Sequence, residues 1–568
     1  VLVAALGFVV AWGFWKGRKT QSLDGYLLAD RQQRWYTIAL SIMATQASAI
    51  TFLSTPGQAY TDGMRFVQFY LGLPLAMVVL SITAVPIYHR LKVYTAYEYL
   101  EQRFGRGTRT VAATLFLLQR GVSTGITIYA PALIITVLLG WNIHATNIII
   151  GALVIAYTAF GGSRAVSGTH VQQMAIIFIG MFAALFIAIH AMPAGVSFGE
   201  AVHVAGRMGR LNAIDFSFDL KNRYNFWSGI IGGFFLALSY FGTDQSQVQR
   251  YLTGSSVAQS RMGLLMNGLI KVPMQFFILF AGAMVFVFYQ FVAPPLIFNP
   301  AERAHASSGS IARSFAALEQ RHAQTFEAKR AGVLSLVTAM RSHDERAIGA
   351  ATDHVRAIQK RDGEERAQAA VLLKQARPAA DTNESNYVFL TFVITYLPAG
   401  LVGLVLAAIL CASMSSTASG LSSVATTSVV DIYKNLIRRN ESDVHYVRAS
   451  KLMTVFWGVF AVGCAEFASR LGSLVEAVNL LGSLFYGPIL GIFLVAFYCR
   501  RVGGHATVIA ALAAEAVVLG CWAFSDMAYL WWNVVGCVVT VLLAVVIERI
   551  GLVVPGARMQ NAERRMQN

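Results

Sequence analysis

Two oxygen-rich stretches in an otherwise apolar chain carry the residue types that could do chemistry. The first is Ala44-Thr45-Gln46-Ala47-Ser48-Ala49-Ile50-Thr51-Phe52-Leu53-Ser54-Thr55-Pro56-Gly57. A small, polar helix interrupted by Pro-Gly can unwind locally and leave carbonyl oxygens free. Freed backbone at membrane depth survives only where it lines a cavity or binds a ligand. The second is Ala412-Ser413-Met414-Ser415-Ser416-Thr417-Ala418-Ser419-Gly420-Leu421-Ser422-Ser423, which runs on to Asp431-Ile432-Tyr433-Lys434. A hard cation such as Na+ takes roughly five or six oxygens, by analogy with the oxygen-only sites of Ca2+ and Mg2+. The hydroxyls of Ser415 and Ser416, a carbonyl one turn earlier and two carbonyls from the first stretch would complete such a set. The alternative is that Ser and Thr only let transmembrane helices pack closely.

Polar groups inside a bilayer are costly without a partner, so each is a functional candidate. Ser239-Tyr240-Phe241-Gly242-Thr243-Asp244-Gln245-Ser246-Gln247-Val248-Gln249-Arg250-Tyr251 is either a second broken helix or a polar helix end. Arg120, His170 and Lys271 are lone ionisable groups in apolar runs, and Glu515 is a more peripheral one. Arg120 lies about 18 Å along its helix axis. It either pairs with a substrate anion or makes structural hydrogen bonds to carbonyls. No GxxxxGK[ST] phosphate loop is present, and nothing calls for covalent chemistry, so the chain does not read as an enzyme.

The elements that must position these residues are transmembrane helices. Of 568 residues, 56% are hydrophobic and 13% charged, where a soluble globular protein carries about a quarter charged residues. Thirteen apolar runs, centred near residues 8, 48, 77, 125, 152, 180, 236, 277, 407, 459, 489, 513 and 539, are each long or nearly long enough to cross. The basic cluster Lys16, Arg18, Lys19 after the first run places the N-terminus outside and, after thirteen crossings, the C-terminus in the cytoplasm. The expected inner segments then hold 24 Lys/Arg and the outer ones six, leaving aside one insertion. The net charge of +16 therefore fits a cytoplasmic excess of Lys/Arg in a protein partnered by lipid, not by nucleic acid. The five cysteines show no CxxC spacing, so neither a disulfide framework nor a zinc site is suggested. The insertion, residues 298–386, holds 13 Lys/Arg and 11 Asp/Glu. It predicts two or three amphipathic helices, a hairpin on the outer face. It is either a solvated cap or a docking or gating element, and no protein partner follows from it.

The strings SAITFLSTPGQAY, TAYEYLEQRFG, GITIYAPAL, AYTAFGG, DQSQVQRYL and SMSSTASGLSSVATTSVVDIYK together resemble the sodium/solute symporter family, nearest its iodide, monocarboxylate and multivitamin branch. The similarity covers nearly the whole chain except the insertion. It implies an all-α polytopic membrane protein with a LeuT-like core of two inverted five-helix repeats, here 35–192 and 226–500. The second repeat is interrupted by 298–386. Residues 1–34 hold the first helix and a cytoplasmic loop, 193–225 an outer loop, and 501–568 two further helices and a short cytoplasmic tail. The resemblance also implies a sodium site: the carbonyls of Ala44, Ala47 and Ala412 with the hydroxyls of Ser415 and Ser416. For substrate binding and gating it suggests Gln46, Thr51, Tyr70, Tyr240, Phe241 and Lys271, to which the lone charge of Arg120 is added as a candidate. Thr51 falls where relatives often have a substrate-touching glutamine, and Tyr240 matches an inner-gate tyrosine. Lys271 matches a lysine that reaches a sugar hydroxyl in sugar-transporting relatives. Ala237 and Ile50 replace polar groups of those relatives, which argues against sugar.

Two departures stand out. His170 replaces an aspartate that serves sodium release, and imidazole cannot replace a carboxylate as a hard-cation ligand. Arg120 stands where close relatives carry a neutral residue. Both suggest a more positive interior, and with it a small organic anion, a monocarboxylate, imported with one coupled Na+ by alternating access. The expected location is the plasma membrane, the inner membrane of a bacterium. The alternatives are a proton-coupled symporter with His170 as the titrating group, or a sensor built on a transporter scaffold.

Overall fold

A computed structural model describes Gly7, Ala11 and residues 22–551 apart from Ala194 and Ala379, with no side chain described at 162–169, 171 and 469. The described residues are helical, with one isolated bridge between Gln33 and Gly254 and no strand. After a short helix at Leu23–Leu28 come helices α1 (Trp35–Gln46) and α2 (Ala49–Asp62). They are followed by α3 (Arg106–Leu139), α4 (Ile143–His190), α5 (Gly233–Gly242), α6 (Gln245–Leu252) and α7 (Val257–Phe291). The insertion supplies α8 (Ala312–Ser342) and α9 (Glu345–Ala376). The chain closes with α10 (Ala399–Thr427), α11 (Asp443–Ala465), α12 (Leu474–Tyr498), α13 (Gly504–Phe524) and α14 (Tyr529–Ile550).

Among the described residues, ten stretches are long and apolar enough to cross a bilayer. One of them, Ala49–Leu91, folds back on itself. Its α2 end reaches the face that carries the insertion, where Ser54 donates to Asn386 at 2.8 Å. Its far end reaches the opposite face, where the Tyr88 hydroxyl donates to the Gly242 carbonyl at 2.9 Å. Ser228–Gly242 is a shorter apolar helix. The first expected run, apart from Gly7 and Ala11, and the tail beyond 551 lie outside the described residues. The ten stretches do not reach the expected count of about 13.

Helix α4 carries two apolar windows, Ile143–Gly161 and Gln172–His190. Gly151 and Ile155 meet Val462 and Gly458 of α11, whereas Gly180 meets Val405 and Ala408 near the start of α10. The backbone stays helical between the two separate runs expected near residues 152 and 180.

The break between α1 and α2 follows from local chemistry. Ala47 (φ −81°, ψ 75°) and Ser48 (φ −78°, ψ 173°) leave the helical region. Pro56 cannot donate to the carbonyl four residues back, which weakens the next turn of α2. Gly57 is needed for close approach, because a Cβ there would overlap the backbone carbonyl of Ser385. A second break separates α5 from α6. Thr243 leaves the helix (φ −130°, ψ −24°), and Asp244 caps α6 by accepting from the Ser246 amide at 2.8 Å. Of the two readings of that polar segment, the structure has the broken helix.

In the insertion, α8 and α9 form a hairpin turning at His343, which adopts φ 54°, with Asp344 capping α9. Its interior is polar as well as apolar. Lys329 Nζ lies 3.1 Å from Asp362 Oδ1 and Arg366 Nε 3.3 Å from Asp362 Oδ2. Burial opposes the charge on Asp362, but Arg366 and Lys329 hold its carboxyl below the usual range. The hairpin leans on Phe198–Arg207 through ion pairs of Arg341 with Glu200 and Arg207 with Glu345.

Candidate functional site

The α1–α2 break empties two particular carbonyls. In an unbroken helix the Ser48 amide would donate to Ala44 and the Thr51 amide to Ala47. Here the Ser48 amide donates to Gln46 and the Thr51 amide to Ser48, each at 3.0 Å. The carbonyls of Ala44 and Ala47 thereby lose their usual helical donors. On α10, the Ser415 hydroxyl is buried and has no hydrogen-bond partner. The Ser416 hydroxyl donates to the Ser413 carbonyl at 3.1 Å, which leaves its lone pairs available. Helices α1 and α10 touch at this level, with Thr45 Oγ1 3.1 Å from Ser419 Oγ. Among the described residues no cluster of His, Cys, Asp and Glu could hold a metal. The donor set is all neutral oxygen, which suits a monovalent hard cation better than a transition metal.

A cavity of about 90 Å3 opens beside this break. Thr45, Gln46, Ser48, Ile50 and Thr51 line it from the break, and Ser416 from α10. Phe69, Tyr70, Leu236 and Tyr240 add apolar and aromatic walls, and Val475, Val478, Asn479 and Tyr486 close it from α12. Arg120, Thr127 and Ser246 complete the lining.

Among the protein's own groups, Arg120 pairs with a carboxylate and not with backbone carbonyls. Its Nη2 forms an ion pair with the buried carboxylate of Asp244 and lies 3.5 Å from the Tyr486 hydroxyl. Tyr486 itself donates to Asp244 Oδ2 at 2.9 Å. The guanidinium carbon also sits 5.5 Å from the centre of the Tyr240 ring, whose hydroxyl accepts from Gln247 at 2.7 Å. Arg120 and Tyr486 thus line the cavity while Asp244 holds them from behind, joining α3, the start of α6 and α12.

The structure brings Gln46, Thr51, Tyr70, Arg120, Tyr240 and Ser416 to one cavity. Phe241 and Lys271, expected at the substrate, do not line it. Phe241 is the residue after Tyr240 on α5, so its side chain leaves on another face; its ring still lies edge-on to Tyr240, with centroids 4.9 Å apart. Lys271 is wholly buried on α7, with its Nζ lacking a hydrogen-bond partner 5.9 Å from the Tyr70 ring centre. His170 is also wholly buried and away from the cavity, with Nδ1 2.8 Å from Ser41 Oγ and Nε2 without a partner. The expected positive interior is corrected on two grounds. Asp244 balances Arg120, and neither His170 nor Lys271 reaches the cavity.

Sequence reasoning missed Asp244, Tyr486 and Asn479 as site residues. Asp244 was visible inside a polar segment, but nothing local said that its carboxylate would meet Arg120, 124 positions earlier. Tyr486 sits in the apolar string LFYGPIL and carries no local signal.

Comparison with known proteins places this geometry in a family. The model of the sodium:solute symporter family matches residues 26–310 and 367–513. A putative sodium-dependent multivitamin transporter of Drosophila melanogaster is 27% identical over 88% of this chain and 70% of its own length. The sodium/iodide cotransporter of Homo sapiens is 32% identical over 50% of this chain, and the human sodium-coupled monocarboxylate transporter 1 is 34% identical over 47%. The alignments span 44% and 43% of those two human proteins, so the chain matches less than half the length of each. Among solved structures, a Na+-coupled sialic acid symporter in a substrate-bound, outward-open state superposes with a TM-score of 0.73. It is 20% identical and is covered over 97% of both chains. That likeness shows the fold, the LeuT-like helical core expected from the sequence.

Proposed function

This chain belongs to the sodium:solute symporter family, and from that premise we propose that it imports a small organic anion, a monocarboxylate, by alternating access. The protein is a multi-pass membrane transporter and not an enzyme, and Na+ is its coupling ion. In this reading the ion is held by the carbonyls of Ala44, Ala47 and Ala412 and the hydroxyls of Ser415 and Ser416. The observation that carries it is the diversion of the Ser48 and Thr51 amides, which takes the usual helical donors from two carbonyls, while the buried Ser415 hydroxyl on α10 has no partner of its own. The ion would tie α1–α2 to α10 in one state of the cycle and order the cavity next to it. Gln46, Thr51, Tyr70 and Arg120 then meet substrate, and Tyr240 moves to open the inner side. Coupling is reciprocal, so sodium tightens substrate as much as substrate tightens sodium.

Charge supports the anion. With Asp244 balancing Arg120, the cavity is close to neutral, so a monoanion arriving with one Na+ leaves it neutral still. Such a cycle is electroneutral. It forgoes about 2.3 kcal/mol per charge per 100 mV and runs on concentration ratios worth roughly 1.4 kcal/mol per tenfold step. The names of two relatives, an iodide and a monocarboxylate transporter, point to the same class. The repeats run over 35–192 and 226–500 in this reading, with the insertion 298–386 on the outer face. The excess of Lys/Arg in the opposite loops supports a cytoplasmic C-terminus in a plasma membrane, as in a bacterial inner membrane.

The test is a thermal-shift screen of purified protein over small anions, amino acids, vitamins and sugars, with and without Na+. A stabilising hit that needs Na+ names both ligands. Arg120→Gln then tests the anion pairing, and unchanged carboxylate affinity rejects it.

A further inference from the structure

Asp244 is wholly buried, and each of its carboxylate oxygens is engaged. Oδ1 accepts from the Ser246 amide at 2.8 Å and the Ser246 hydroxyl at 2.7 Å, and Oδ2 accepts from the Tyr486 hydroxyl at 2.9 Å as well as from Arg120. Three donors would therefore stay with Asp244 if Arg120 left. Arg120 is in the opposite position. A guanidinium offers five N–H donors in a planar fork. Only Nη2 engages Asp244, while Nε is buried with no partner. The pair is one-pronged, although two-pronged contact is the stronger way for arginine to hold a carboxylate. Arg120 also lines the cavity, whereas Asp244 does not.

The geometry points to Asp244 as an internal stand-in for the substrate's carboxylate. We propose that a bound carboxylate takes Arg120 over from Asp244, and that this exchange unlocks the cavity wall. Asp244 keeps its Ser246 and Tyr486 donors, so its side of the exchange is inexpensive. Arg120 gains a second prong, because Nε acquires an acceptor. As the guanidinium turns toward the cavity it leaves its place over the Tyr240 ring, and α3 is no longer tied to the α5–α6 break. A neutral solute of the same shape offers Arg120 no charge to exchange, so it occupies the cavity without releasing the pair. Asp244 is thus a positioning residue that couples the substrate's charge to movement. The inference rests on the reading of the substrate as a carboxylate.

The test uses the full chain in lipid nanodiscs, saturated with Na+ and titrated calorimetrically with acetate, pyruvate and benzoate, with uptake measured in proteoliposomes. Asp244→Asn removes the internal competitor. It should bind the preferred probe at least tenfold more tightly than wild type, with sodium affinity within threefold and uptake at least tenfold slower. Tyr486→Phe has the opposite sign. It takes a donor from Asp244, makes the carboxylate depend more on Arg120, and should weaken probe binding at least threefold. If Asp244→Asn does not fold, Tyr486→Phe decides alone. Equal or weaker binding by Asp244→Asn, or equal or tighter binding by Tyr486→Phe, overturns the proposal while the carboxylate reading stands on wild-type binding. Probe binding to Asp244→Asn but not to wild type supports the proposal. Binding by neither overturns both.

Discussion

Replacing Ser415 with alanine separates an ion ligand from a packing residue. The hydroxyl is 1% exposed and has no hydrogen-bond partner. An unsatisfied buried hydroxyl costs about 1–3 kcal/mol, so the protein without sodium should lose nothing on Ser415→Ala and its Tm should hold or rise. A serine that served only helix packing through a hydrogen bond would behave oppositely. With sodium the sign reverses. A polar contact to a charged group is worth about 1.5–3 kcal/mol, and each 1.4 kcal/mol is a factor of ten. Sodium should therefore bind roughly 10- to 100-fold more weakly. The assay is a sodium titration of Tm at constant ionic strength, with choline replacing Na+, repeated calorimetrically. Sodium affinity within threefold of wild type would refute the reasoning, and a clear fall of Tm without sodium would show that the hydroxyl is structural. Ser416→Ala should weaken sodium similarly but also lose about 0.5–1.5 kcal/mol of stability, because its hydroxyl donates to Ser413.

Three further outcomes are expected. Gly57→Ala drives a methyl into the Ser385 backbone and strains the Ser54–Asn386 contact at the outer end of α2. It should destabilise by about 1–3 kcal/mol, read as a lowered Tm. Asp362→Ala leaves Lys329 and Arg366 without their shared buried carboxylate. The cost of about 3–5 kcal/mol should show as faster hydrogen exchange across α8 and α9, with sodium affinity unchanged. Glu98, outside the membrane spans, is lifted by burial from 4.5 to about 7, although Arg109 opposes the rise. The folded form therefore holds its proton better than the unfolded one. That stability is complete below about pH 4.5 and is lost as the pH rises through 7. Glu98→Gln should flatten the fall in Tm between pH 5 and 8 that wild type shows over the same interval.

Local chemistry made much of the protein legible. Long apolar runs with few charges have no solution but membrane helices, since every backbone group must be satisfied within the segment. The Ala44–Gly57 string signals a break through its small polar residues, but the break falls at Ala47–Ser48, whereas the Pro56-Gly57 pair expected to interrupt the helix lies inside α2. The repeated hydroxyls of 412–423 mark that stretch of α10 as a candidate because oxygen at that depth needs a reason. What could not be read was which long-range partner each lone charge would find. Arg120 looked like an uncompensated cation. Asp244 was one residue of a polar segment with no partner assigned. Only the packing of α3 against the α5–α6 break and α12 made them one neutral pair. Helical periodicity also could not separate Tyr240, which lines the cavity, from Phe241, which does not, nor show that Lys271 would be buried behind Tyr70. A membrane-spanning sequence declares its helices and its breaks because those depend on neighbours within one turn. The charge of its cavity depends on residues more than a hundred positions apart, and only the tertiary fold brings those together.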